Sequence, residues 1–123
     1  MPDVKARARS AHRVSVQWDL DHIAKYLQDQ LGQKLVGHIA KADPKTVGHW
    51  ARGEQRPRAE TEKRIRMAFQ VFHLLLGEDD AHTVRAWFIG INPQLDDQAP
   101  ADAIREDRLG DVWVAAQAYI AGG

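Results

Sequence analysis

Apolar residues recur along this chain at steps of three and four, and nowhere do they alternate for long enough to make a sheet strand. That period is the strongest constraint on the fold, because it puts the apolar positions on one face of successive helices and leaves no pattern for a second class of element. Leu20, Ile23, Leu27 and Leu31 predict a first helix within residues 17–31, with Trp18 and Tyr26 at its edges. Leu35, Val36, Ile39 and Ala40 mark a short second one. Asp43-Pro44 reads as the start of a third, with Asp43 as N-cap and Pro44 in the first turn, and Gly53 as its stop. A long helix is predicted from about Ala59 to Gly77, with Ile65, Phe69, Phe72 and Leu76 as its stripe and Val71 and Leu75 widening it. Asp79-Asp80 opens the next, whose apolar side is Val84, Trp87, Phe88 and Ile91. Two short helices follow Pro100. The expected fold class is therefore all-α.

Charge divides the chain. Over all 123 residues, 17 Lys and Arg balance 17 Asp and Glu. Residues 1–66 hold 14 of the cations and 8 of the acids, a balance of +6; residues 67–123 hold 3 cations and 9 acids, a balance of −6. Such asymmetry between halves fits a basic surface for a polyanion and an acidic surface for a different partner. Residues 1–16, with Lys5, Arg7, Arg9 and Arg13, read as a flexible basic arm.

Residues 33–52 have the organisation of a helix-turn-helix. Val36, Ala40, Ala42, Val47 and Trp50 are apolar where two crossing helices must be buried, and Gly37 is small where they meet. Lys41 departs from the pattern, since the turn often carries Gly at a left-handed position; either Lys41 accepts that strain or the turn takes another conformation. If the unit reads DNA, its second helix enters the major groove with Pro44, Lys45, Thr46, His49 and Arg52 facing the bases and phosphates, and Arg56 and Arg58 clamp the backbone. One such unit buries little DNA surface, so a homodimer on paired half-sites is expected.

Other chemistries lack their residues. There is no Cys, which excludes thiol nucleophiles, disulfides and thiolate zinc sites. The six histidines, at 12, 22, 38, 49, 73 and 82, never fall three or four apart, so no metal site is expected. Ser10 and Ser15 have no nucleophile-elbow glycines around them, and no phosphate-cradling Gly loop is present. The expectation is a non-enzyme without cofactors. No stretch has the length and apolarity of an export signal or a bilayer span, so the expected location is the cytoplasm, with no membrane partner.

The stretch Trp87-Phe88-Ile89-Gly90-Ile91-Asn92-Pro93-Gln94-Leu95, followed by Pro100, Ala103-Ile104-Arg105 and Asp111-Val112, is the most distinctive in the chain. On its own chemistry, Asn92 closes a turn, Pro93 directs the exit, Leu95 plugs back onto the helix carrying Trp87, and Arg105 pairs with an acid or a helix end. With its helix-turn-helix before it, this succession resembles the MbcA/ParS/Xre antitoxin family over about residues 31–121. The resemblance implies a helix-turn-helix bundle (residues 17–66) followed by a small helical toxin-binding domain (residues 67–123). It implies a type II antitoxin that covers the active site of a RES-domain, NAD-degrading toxin and represses its own promoter. Toxin contact would fall on the last helix and tail, namely Trp113, Gln117, Tyr119, Ile120, Ala121, Gly122 and Gly123. The competing expectation is a stand-alone helix-turn-helix regulator whose C-terminal half only dimerises or senses a ligand.

Overall fold

A computed structural model describes residues 3–122. Among these the chain is all-helical: α1 (Val4–Gln17), α2 (Leu20–Leu31), α3 (Gln33–Ala40), α4 (Pro44–Ala51), α5 (Ala59–Leu76), α6 (Ala81–Ile89), a short 3-10 turn (Pro93–Leu95), α7 (Pro100–Arg105) and α8 (Leu109–Ile120). None of these helices is long and apolar enough to cross a membrane.

One core joins all of them. Leu20, Ile23, Leu27 and Leu31 of α2 are buried, as their spacing requires, together with Val36 and Ile39 of α3, Val47 and Trp50 of α4, and Phe88 of α6. The centre is α5. Its Ile65, Phe69, Phe72 and Leu75 are buried, and α1, α2, α3, α7 and α8 all pack around it. The predicted stripe drifts at its end: Leu76 is exposed, and Leu74 and Ala68 replace it in the core. The boundary expected between residues 66 and 67 lies inside α5, so the two halves share one helix and one core.

The expected flexible arm is instead α1, a helix of 14 residues lying antiparallel to α5. Asp3 caps it, accepting from the Ala6 amide at 3.1 Å. Its inner face is Ala8, Ala11 and Ser15, and polar contacts hold it down. Arg7 reaches Glu78 and the Leu74 carbonyl at the far end of α5. Ser15 donates to the buried Gln70 at 2.9 Å, and His12 Nδ1 lies 3.2 Å from the same amide oxygen. At the near end Arg66 donates to the Ser15 and Trp18 carbonyls at 2.6 and 3.0 Å.

In the second half, Asp80 caps α6 through the Thr83 amide, and that bond holds its carboxyl below the ordinary value. Gly90 ends α6 after Ile89, so Ile91 lies beyond the helix and is 78 % exposed rather than on its apolar side. Asn92 accepts from the Gln94 amide at 2.9 Å and closes the turn. Leu95 is fully buried, packed with its turn against α8. Arg105 caps the end of α3, donating to the His38 carbonyl at 2.7 Å.

Candidate functional site

The α3–α4 pair is joined by Lys41, Ala42 and Asp43. Lys41 takes the left-handed conformation itself, at φ 60° and ψ 49°. The Ala42 amide donates back to the Gly37 carbonyl at 2.9 Å, which seals the end of α3. The turn folds so closely over α3 that a Cβ at Gly37 would lie 2.7 Å from the Ala42 carbonyl oxygen. Asp43 then starts α4, accepting from the Lys45 amide at 2.9 Å, with Pro44 in the first turn.

One side of α4 packs on α2 and α3 through Val47, Gly48 and Trp50. The other carries Lys45 and Arg52, exposed, with Thr46, His49 and Pro44 half-buried. Of the expected nucleic-acid residues, Pro44, Lys45, Thr46 and His49 thus lie on α4, Arg52 follows as its C-cap, and Arg56 and Arg58 are exposed in the segment between α4 and α5. Their electrostatic states differ. Lys45 and Arg58 have no carboxylate within ion-pair distance among the described residues. Arg52 is tied to Glu54 at 3.0 Å, and His49 Nδ1 lies 2.8 Å from the same carboxylate oxygen. That His49 bond, then the Arg52 bond, holds the Glu54 carboxyl below its ordinary range. His49 Nδ1 also lies 3.3 Å from Arg52, but one nitrogen cannot both donate to Glu54 and accept from Arg52. The shorter Glu54 contact is the stronger one. Arg56 is paired with Glu62 at 3.2 Å. Glu54 and Glu62 are not legible as partners in the sequence, because their i+2 and i+6 separations from those arginines carry no helical signal.

The nominated toxin contacts divide. Tyr119, Ala121 and Gly122 are exposed. Ile120 is not available, being 7 % exposed and part of the core. The helical turn that exposes Tyr119 necessarily turns Ile120 inward. Trp113 and Gln117 are half-buried, with Gln117 Nε2 3.4 Å from the Trp113 carbonyl. Gly123 lies outside the described residues.

The exposed end of α8 instead meets the segment after α6. Trp87, Ile91, Pro93, Ala118 and Tyr119 line an apolar hollow of about 490 Å³. Ile89, Ile91 and Val114 are exposed in this half at 53, 78 and 61 %. Tyr119 packs edge-on to Trp87 and donates to Asp79 at 2.6 Å, which raises the phenol above its usual value. The sequence signal for Ile91 was present in the Gly90 before it, which ends the helix and releases the next side chain.

Asp19, Asp21 and His22 bring three possible ligand atoms within 4.8 Å of one another at the start of α2, all at or near the surface. No family model, curated protein or solved structure matches this chain.

Proposed function

We propose that this chain is an antitoxin that binds promoter DNA through α3 and α4 and masks a RES-domain, NAD-degrading toxin with its C-terminal half. The observation that carries the DNA part is the α4 face. A helix buried on one side presents Lys45, Thr46 and His49 on the other, with Arg52 at its C-cap, behind a turn tight enough to exclude a Cβ at position 37. A major groove admits such a helix, and these side chains can bond base edges or phosphates. Arg52 must leave Glu54 to do so, so one internal ion pair is exchanged for an intermolecular contact.

The toxin part rests on the resemblance around Trp87–Leu95 and is supported by the apolar hollow beside it. Exposed Ile91 and Val114 supply apolar contact area. The acids of this half suit a partner whose site binds the anionic phosphates of NAD and must be cationic. The same hollow also favours the stand-alone regulator, because a second copy would cover it equally well.

Two experiments test the reading. In a gel shift on the DNA upstream of its own gene, Lys45→Ala with Arg52→Ala is expected to weaken binding and to reduce the salt slope by about 1.8. An unchanged slope discards α4 as the reading helix. Co-expression with the adjacent reading frame is expected to rescue growth; a neighbour that is harmless alone leaves the regulator reading in place.

A further inference from the structure

The strongest feature left unused is the outer face of α1. Lys5, Arg9 and Arg13 stand four residues apart, so they form one row about 12 Å long on a single helix face. All three are exposed, and none has a carboxylate within ion-pair distance among the described residues. Arg7, on the other side of the helix, is consumed by Glu78 and the Leu74 carbonyl. The row continues past Gln17 to Trp18, where α1 ends.

Trp18 is 41 % exposed, yet it is firmly seated. Its ring lies on Phe69 with centroids 4.9 Å apart and meets Tyr26 edge-on at 6.0 Å. Its backbone carbonyl is held by Arg66. Trp18 and Tyr26 form the apolar part of an open hollow of about 520 Å³, with Gln17 on the α1 side and Asp19, His22 and the Lys25–Asp29 ion pair on the rest of its rim.

We propose that this face is a second nucleic-acid site, separate from α4, and that its ligand is a single strand. The reasoning is chemical. A line of unpaired cations follows a phosphate backbone, and a fixed, partly exposed indole at its end offers a stacking face to an unpaired base. A duplex keeps its bases stacked and has none to offer. On the far rim the one lysine, Lys25, is already paired with Asp29 at 3.1 Å, whereas the cations of α1 are unpaired, so the backbone runs along α1 and the base enters over Trp18. A bilayer surface is the poorer fit, because among the described residues Val16 and Trp18 are the only large apolar side chains exposed along this face. The Lys45 and Arg52 side chains are exposed and line no part of the hollow, although α4 packs on α2, which carries Tyr26.

The test uses the full chain with labelled oligothymidylate and oligouridylate, read by fluorescence anisotropy across a salt series. Both are expected to bind, because stacking reads the face that every base has. The triple variant Lys5→Gln, Arg9→Gln, Arg13→Gln should lower the salt slope by about 2, from three phosphate contacts on a single strand. Trp18→Leu, which keeps apolar packing on Phe69, should weaken binding about tenfold or more and abolish most quenching of tryptophan fluorescence. Lys45→Ala with Arg52→Ala should change neither quantity, which keeps this site distinguishable from promoter binding. Three results would overturn the proposal: an unchanged slope in the triple variant, loss of oligonucleotide binding in the α4 variant, or preferential binding of the α4 variant, whose promoter contacts are removed, to duplex or to phosphatidylglycerol vesicles. The triple variant decides the matter even if Trp18→Leu fails to fold, since its three side chains are exposed and make no ion pair.

Discussion

Replacing Lys41 by glycine is expected to stabilise the protein, although it removes an entire side chain. Three helices end in the same way. At the ends of α3, α4 and α7 one residue turns left-handed, and the following amide bonds back five residues: Ala42 to Gly37, Glu54 to His49, Arg108 to Ala103, at 2.8–2.9 Å. The left-handed residues are Lys41, Gly53 and Asp107, at φ 60°, 70° and 65°. Gly53 carries no strain. Asp107 is compensated by a fork of bonds from the buried Arg64, at 2.8 and 3.2 Å. Lys41 has no such partner; its ammonium acts on Asp107 only at a distance. The left-handed conformation costs an L-residue about 1–2 kcal/mol, and glycine gives back about 0.5–1 kcal/mol through its freer unfolded chain. The net gain is about 0.5–1 kcal/mol, or a rise of about 2–4 °C in Tm for a domain of this size. Lys41→Ala keeps the Cβ and removes the charge, so it should gain nothing. Asp107→Gly relieves the same strain but breaks the Arg64 fork, so it should destabilise. Thermal unfolding of the three variants checks the set. If Lys41→Gly matched Lys41→Ala, backbone strain would not be what Lys41 contributes, and the reasoning would fail.

Leu95→Ala empties a fully buried site between the 3-10 turn and α8, and should cost about 3 kcal/mol in denaturant titrations, without a change of m-value. The Arg64 fork makes stability pH-dependent. It lowers the Asp107 carboxyl in the folded state, so its contribution is fully present above the unfolded carboxylate range and is lost as pH falls through the folded value. Asp107→Asn should therefore flatten the acid limb of a stability–pH curve; an unchanged limb would place the acid sensitivity elsewhere. Ile91→Asp should leave Tm within about 1–2 °C, because the side chain is 78 % exposed, and should abolish toxin neutralisation in co-expression if the hollow meets the toxin.

Much of the fold was legible because large apolar residues report their own burial. Leu20, Ile23, Leu27, Ile65, Phe69 and Phe72 sit at helical steps and are all in the core. α1 was hidden because its inner face is Ala8, Ala11 and Ser15, residues too small or polar to produce a period, and because its attachments are long-range bonds to Gln70, Arg66 and Glu78. The α4 face was legible from spacing, since Lys45, Thr46 and His49 lie on the helix and Arg52 is its C-cap. Its pairing with Glu54 was not, because a carboxylate two residues beyond Arg52 meets it only when the helix ends at Ala51 and the chain turns back through Gly53. In α8 the apolar composition marks a helix but not its orientation, so the partner contact expected at Ile120 gives way to a core position.

The charge asymmetry along the chain is partly undone by folding, and unequally. Arg7–Glu78, Arg64–Asp107 and His38–Asp102 join the basic half to the acidic half. Asp96 and Asp111 are paired with Arg108 from their own half. Four of the nine acids of the second half, Glu78, Asp96, Asp107 and Asp111, are therefore paired with an arginine. The first half keeps Lys5, Arg9 and Arg13 on α1, Lys34, Lys41 and Lys45 along α3 and α4, and Arg58 and Lys63 around the start of α5, all without a carboxylate within ion-pair distance among the described residues. The first half of a chain of zero formal charge thus keeps a local excess of unpaired cations, and local charge, not the total, decides what a polyanion meets. The protein should be retained on heparin at low salt despite its neutral composition. Combining the α1 triple variant with Lys45→Ala and Arg52→Ala should release it at lower salt than either set alone. Passage through the column by the unaltered protein would mean that the second half's acids screen these faces after all, and both nucleic-acid surfaces would lose their electrostatic basis.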